Sequence, residues 1–402
     1  MGAGVSEALV ARRRKVGLRV QWTLLWPESG AVSPIPALDG LRAAAVLLVV
    51  VFHVWYKGPA LIETTGSLLP EQHPLWSLHT GVHLFFILSS FLLFLPYAQW
   101  ILGQKGPPNS LQFYKRRILR VGPAFWASVA ILLLAAPLTP DRIGNAVAHV
   151  FFVFNAIPGS SAQFNDVFWT MAIEVQFYAV LPLIGVLAYW LSRRLGPLQA
   201  VLVVFGACLL VSMTSGYLGH RFQPLGLVWW GLLGRYSLSL WLSVFGTGIL
   251  ASLVYCGLRK SPRLAAPAQR AGPVIFGAGM ALALGVAFVP SLGQLPLNGG
   301  SNDLMFGYAY AAMLFGVLIG PPALRLPFEL PVVRFIGLIS YSLYIWHTVV
   351  WSHLAPDLGA IHGPLAQIAV GVLLELLVAI PVAYVSYQLT ERPFISARRA
   401  AH

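Results

Sequence analysis

Ten apolar runs, each separated from the next by a short segment that carries the charge, constrain this chain more than any other feature. They lie near 38–56, 80–101, 121–137, 168–191, 198–216, 238–256, 273–290, 303–320, 337–354 and 364–389. A hydrocarbon core about 30 Å thick takes about 20 apolar residues in helical form. Lipid offers the backbone no hydrogen bonds, so only helices and closed barrels cross it. Charged residues make up 10% of the sequence, against about 25% in a soluble protein. The expected fold is therefore all-α and polytopic, with about ten transmembrane helices.

The formal net charge of +13 would suit nucleic acid, but its placement excludes that partner. With the N-terminus inside, only Lys57, Arg142, Arg221 and Arg235 of the 26 Lys and Arg fall outside. Such asymmetry is the positive-inside pattern of a multi-pass protein with both termini cytoplasmic. Residues 1–35 then read as a cytoplasmic tail, basic at Arg12–Lys15 and without signal-peptide features. Residues 36–394 form the transmembrane domain, and 395–402 a second short tail. Cys208 and Cys256 give neither metal spacing nor a disulfide pattern. Two outside segments are long. The apolar stretch 146–157 is too short to span, and 217–237 carries Trp229, Trp230 and Arg235; both read as interfacial or re-entrant pieces. Gly122-Pro123 reads as the opening of span three. No internal repeat with matched broken helices, a transporter signature, is visible.

Four constellations carry polar chemistry into the apolar spans. The first is Asp39, Arg42 and His53 on span one. Eleven residues separate Arg42 from His53, which is about 20° past three turns and about 16 Å along the axis. Asp39 falls within about 40° of the same face. Ionisable groups in a bilayer are costly and face a bundle interior or a wet cavity. The plainer reading makes Asp39 and Arg42 interfacial anchors and His53 an interhelical bond. The second constellation is Arg116, Arg117 and Arg120 at the inner mouth of span three. Guanidiniums at such spacing suit phosphate, although basic residues there also anchor to headgroups. The third is Glu174 on span four, with Tyr178 one turn on. Glu174 lies roughly 9 Å and His53 roughly 5 Å below the outer surface, so the two are close in depth. The fourth is Tyr344 and His347 on span nine, a buried pair or a substrate contact. His79 and His83 are four apart without a third ligand, and no metal is expected.

These residues resemble the bacterial acyltransferase family 3 membrane proteins. The resemblance rests on Leu38-Asp39-Gly40-Leu41-Arg42 with ten residues to His53, and on Gly81 through Phe91. It continues through Arg117, Arg120 and Pro123, then Phe168-Trp169-Thr170 with Glu174, Phe177-Tyr178 and Pro182. Ser340-Tyr341-Ser342-Leu343-Tyr344 with His347, and Glu391-Arg392-Pro393-Phe394, complete it. His83 stands where that family often has Asp, and Ser90 where it usually has Gly.

The resemblance implies a ten-helix O-acyltransferase of the bacterial inner membrane. The donor would be cytoplasmic acyl-CoA, acetyl or another short chain, and the acceptor a hydroxyl of a glycan, glycolipid or glycosylated metabolite. Arg42 and His53 would be essential, and the paired arginines would serve the donor. In that scheme Arg116, Arg117 and Arg120 hold the phosphates, His53 is the general base, and Glu174 orients it. Asp39, Tyr178, Tyr344 and His347 contact substrate. A glycan or lipid flippase is the rival class, and a non-catalytic sensor a third; neither needs a base near a cationic mouth.

Reporter fusions test the topology. Those after Lys57, Gly293 and Leu358 should report outside, and those after Lys105, Arg263 and Arg398 inside. A reversal at any of them breaks the ten-span scheme and the depths assigned to His53 and Glu174.

Overall fold

The computed structural model describes residues 35–66, 69–157, 159–160, 163–222, 236–289 and 303–396. The tail residues 1–34, the charges at Arg398 and Arg399, and Trp229, Trp230 and Arg235 lie outside the described residues. No strand occurs among the described residues. Fifteen α-helices are numbered here in chain order. The first eight are α1 (Pro36–Tyr56), α2 (Ala60–Thr65), α3 (Gly81–Ile101), α4 (Ser110–Leu134), α5 (Pro140–Val150), α6 (Trp169–Leu195), α7 (Pro197–Phe222) and α8 (Leu238–Lys260). Then follow α9 (Pro262–Phe288), α10 (Asp303–Ile319), α11 (Pro322–Glu329), α12 (Pro331–Leu338), α13 (Ser340–Leu354), α14 (Pro364–Ser386) and α15 (Arg392–Ser396). Among the described residues, eight helices are long and apolar enough to cross a membrane, or ten if each of two bent pairs is one span. The chain is thus an all-α multi-pass membrane protein.

Burial separates centre from rim. The spans of α1, α3 and α8 are 67% buried, whereas those of α9 and α14 are 17% and 22% buried. The rim helices turn residues such as Val274, Leu365 and Leu377 outward, as a lipid-facing surface requires. Helices in lipid gain little from excluding water and rely on close packing of small residues. Gly272 on α9 and Gly320 after α10 show this: a Cβ on Gly272 would stand 2.3 Å from the Gly320 Cα.

Two departures from the sequence reading concern proline and the segment after α10. Pro123 does not open a helix. It sits inside α4, which starts at Ser110 with the Asn109 side chain accepting from the Gln112 amide at 2.9 Å. Packed membrane helices tolerate an internal proline because their neighbours re-satisfy the freed backbone groups. Residues between α10 and α13 are not a simple loop. They form α11 and α12, and the chain bends by 110° between α10 and α11 and by 74° between α12 and α13. Pro321 and Pro322 end the first helix in the expected way.

These short helices grip the first turn of α1. A Cβ on Gly40 would stand 2.1 Å from the Phe328 carbonyl oxygen, and one on Gly337 1.8 Å from that of Asp39. Only glycine permits such approach. Away from these helices in sequence, α5 carries His149, stacked on Phe154 at 3.9 Å between ring centroids. Burial pushes its imidazole below the ordinary value.

Gly337→Ala should force α12 off α1 and cost about 1–3 kcal/mol, as overpacking does. Thermal unfolding in detergent should show a lowered midpoint for Gly337→Ala and none for Gly257→Ala, whose Cβ meets nothing within 4 Å. Equal midpoints would contradict the tight crossing.

Candidate active site

The site begins where α1 meets α12. Asp39 is 3% exposed, and its carboxylate stands 3.8 Å from Arg42 and 3.6 Å from Arg334. A buried cation in apolar surroundings is expensive unless paired. One acid therefore serves two guanidiniums, one from its own helix and one from the bent segment. Asp39, expected as a substrate contact, has its carboxylate committed to this pairing.

Arg42 then lines an internal cavity of about 60 Å³. Arg120 of α4, Glu174 of α6, Ser89 of α3 and Tyr341 and Tyr344 of α13 share its wall. Two arginines, a carboxylate and two phenols from four helices thus converge on one space, with Ser89 from a fifth. Glu174 accepts a hydrogen bond from the Ser89 hydroxyl at 2.7 Å. Tyr341 donates to the Val121 carbonyl at 2.8 Å. Tyr344 donates to the Val167 carbonyl at 3.1 Å and accepts from Thr170 at 3.0 Å. Both phenols are held in place by backbone before any ligand arrives.

One turn beyond Tyr344, His347 meets His53. The His347 Nε2 and His53 Nδ1 atoms are 3.2 Å apart, with the rings edge-to-face. The bonds around the pair assign the protons. His347 Nδ1 lies 2.8 Å from the Tyr344 carbonyl. A carbonyl only accepts, so Nδ1 carries the hydrogen and Nε2 of the neutral ring a lone pair. His53 Nδ1 lies 2.9 Å from the Val49 carbonyl, so it too is the protonated nitrogen and shares its hydrogen with His347. The lone pair of His53 is left on Nε2, which makes no hydrogen bond to the described residues. An imidazole so fixed has one basic nitrogen and one orientation.

A loop secures this arrangement from outside. Asn165 donates to the Ile345 carbonyl at 2.9 Å and accepts from Thr348 at 2.7 Å. Asp166 beside it pairs with Lys57, four residues past His53.

The structure brings together most of the residues expected from sequence, in two groups. Arg42, Arg120, Glu174 and Tyr344 share the cavity; His53 and His347 form the pair above it. Tyr178 is buried one turn from Glu174, its ring edge-to-face with Phe113. Arg116 and Arg117 are half-buried on α4 and are not among the residues lining the cavity. Glu174 bonds Ser89 and not His53; the partner of His53 is His347. Sequence reasoning assigned no role to Ser89, Asn165, Asp166 or Arg334. The one signal for Ser89 was a hydroxyl in an apolar span at the depth of Glu174.

The departure at His83 has a counterpart across the bundle. His83 is buried, and its Nε2 lies 2.9 Å from Asp303 of α10. Ser90 faces Gly248, whose missing side chain leaves room for the hydroxyl. Among the described residues, no group of three or more His, Cys, Asp or Glu is placed to hold a metal.

Residues 35–386 match a family model described as an acyltransferase domain. The YrhL protein of Bacillus subtilis is 26% identical over 383 residues, covering 89% of this chain and 54% of its own length. The peptidoglycan O-acetyltransferase OatA of Listeria monocytogenes is 26% identical over 338 residues, 78% of this chain and 49% of that protein. The O-acetyltransferase OatA of Staphylococcus aureus is 25% identical over 396 residues, 89% of this chain and 57% of that protein. The chain thus spans about half the length of each of these relatives. No solved structure matches.

Proposed function

The chain belongs to the acyltransferase-domain family matched over residues 35–386, and from that premise we propose that it transfers a short acyl group to a hydroxyl of a cell-envelope glycan or glycolipid. The donor is acyl-CoA, and acetyl is the first acyl group to test. The setting is the bacterial inner membrane, with both termini cytoplasmic and residues 36–394 as the acting domain. The two OatA relatives carry O-acetyltransferase in their names, and the one from Listeria names peptidoglycan as well. That supports a glycan acceptor here.

One observation carries the reading. His53 presents a bare Nε2 on the same face of α1 as Arg42, and Arg42 lines a cavity with a second arginine and a carboxylate. The acceptor hydroxyl gives its proton to His53 Nε2 as its oxygen attacks the thioester carbonyl. The carbon–sulfur bond then breaks, and the CoA sulfur takes that proton from the imidazolium. His53 Nδ1 keeps its hydrogen throughout, and His347 accepts it more strongly while His53 is charged. His347 is thus a positioning residue in the place where Glu174 was expected.

Arg116, Arg117 and Arg120 hold the donor phosphates, with Arg120 reaching furthest inward. Arg42 and Arg120 face the pantetheine carbonyls. Glu174, held by Ser89, balances their charge. Asp39 aims Arg42, and Tyr178 and Tyr344 wall the passage. Asp166 and Lys57 frame the acceptor's entrance.

Two experiments test this. In the first, acyl-CoA binding should fall more on Arg120→Ala than on Arg116→Ala. Arg120→Lys should recover only part, because an ammonium lacks the bidentate fork. Undiminished acyl-CoA binding in both variants would make these residues topological anchors. In the second, His53→Ala should cost about 10²–10⁴ in turnover, with donor affinity retained. His53→Gln should be nearly as inactive, since it hydrogen-bonds but takes no proton. His347→Gln should lose only about tenfold, the worth of one orienting bond. Near-normal turnover by His53→Gln would overturn the assignment of the base.

A further inference from the structure

Two arginines outside the proposed active site face a separate cleft. It has a volume of about 320 Å³ and lies where α8, α9, α10 and α11 meet. Arg259 of α8 and Arg325 of α11 are its cations, and Tyr255, Leu258, Leu318 and Ile319 supply much of the rest of its wall. α9 and α10 touch at Gly272 and Gly320, and Gln269, three residues before Gly272, is already in the cleft.

Among the described residues, both guanidiniums are fixed without a counter-ion. Arg259 donates to the Tyr255 hydroxyl at 3.0 Å and lies 5.7 Å from that ring's centroid. Arg325 donates to the Gly320 carbonyl at 2.8 Å. Its Nε is buried and makes no hydrogen bond to the described residues. Ion pairs such as those of Arg42, Arg334 and Lys57 involve neither Arg259 nor Arg325. A second cleft, about 470 Å³, shares Tyr255 and Arg259 and adds Lys260 and Leu95. Space, positive charge and apolar wall are therefore continuous around Arg259.

We propose that this cleft binds an anionic phospholipid, its phosphate between Arg259 and Arg325 and its acyl chains along Leu258, Leu318 and Ile319. Guanidinium forks match phosphate oxygens. Basic pockets between membrane helices suit acidic headgroups, and the leaflet supplies them at high local concentration. The apolar walls distinguish a lipid from a soluble phosphate, which would leave them wet. This site lies apart from the donor residues on α4, and its test does not depend on turnover.

The experiment uses the purified full chain in neutral detergent. Native mass spectrometry counts retained lipid, and thermal unfolding is followed during titration with phosphatidylglycerol, phosphatidylcholine or coenzyme A. Phosphatidylglycerol should stay bound and raise the midpoint, and phosphatidylcholine should do neither. Arg259→Gln with Arg325→Gln should weaken phosphatidylglycerol binding by about tenfold or more, with the lipid-free midpoint kept. If that variant does not fold, Ala268→Phe fills the cleft with both charges in place and should show the same loss. Undiminished phosphatidylglycerol binding in whichever variant folds would overturn the proposal. So would equal binding of phosphatidylcholine, or displacement of the lipid by coenzyme A, which would make the cleft a nucleotide site.

Discussion

A single buried carboxylate, Asp39, stands between Arg42 and Arg334, and the polar interior of the bundle depends on it. A guanidinium among apolar helices is costly, and the carboxylate offsets that cost for both. The pairing joins the first turn of α1 to α12, and glycine at 337 lets the backbones come close enough for it. Arg42 is thereby aimed into the cavity and not to a lipid interface. The sharp bends around α11 and α12 lay these short helices against the start of α1.

From this anchor α1 runs through the bundle as a ruler. Its register puts Arg42 at one end of an apolar helix and His53 at the other, on one face. The two ends have different chemistry. At Arg42 the cavity is charged and walled by five helices. At His53 there is a neutral pair of imidazoles whose tautomers are set by the Val49 and Tyr344 carbonyls. A carboxylate at the second position would add a charge to an apolar setting. A second imidazole fixes the same hydrogen without one. Asn165, through Ile345 and Thr348, then ties the loop before α6 onto α13 beside the pair.

Much of this was legible in the sequence, and the parts that were not share a physical reason. Apolar length gave the helices, because lipid leaves the backbone no alternative. The spacing of Arg42 and His53 gave their common face. Depth along a helix is readable from residue count, but direction around the bundle is not. Glu174 and His53 are close in depth, yet packing turns Glu174 toward Ser89 and gives His53 to His347. The same limit hid Asn165, which lies in a loop with no period to read. Pro123 misled because its usual place at a helix start is a rule of water-exposed ends. α11 and α12 escaped because eight residues are too few to show a helical period against a basic, proline-rich background.

The central claim is that one passage has a donor end at the arginines and an acceptor end at the histidine pair. Sealed proteoliposomes of known orientation test it directly, with acyl-CoA confined to one side and a hydroxyl-bearing glycan to the other. Acylated glycan should form when acyl-CoA is on the Arg117 side and glycan on the Lys57 side, and should not form with the two exchanged. Product that appears only when both substrates share one side would contradict the account.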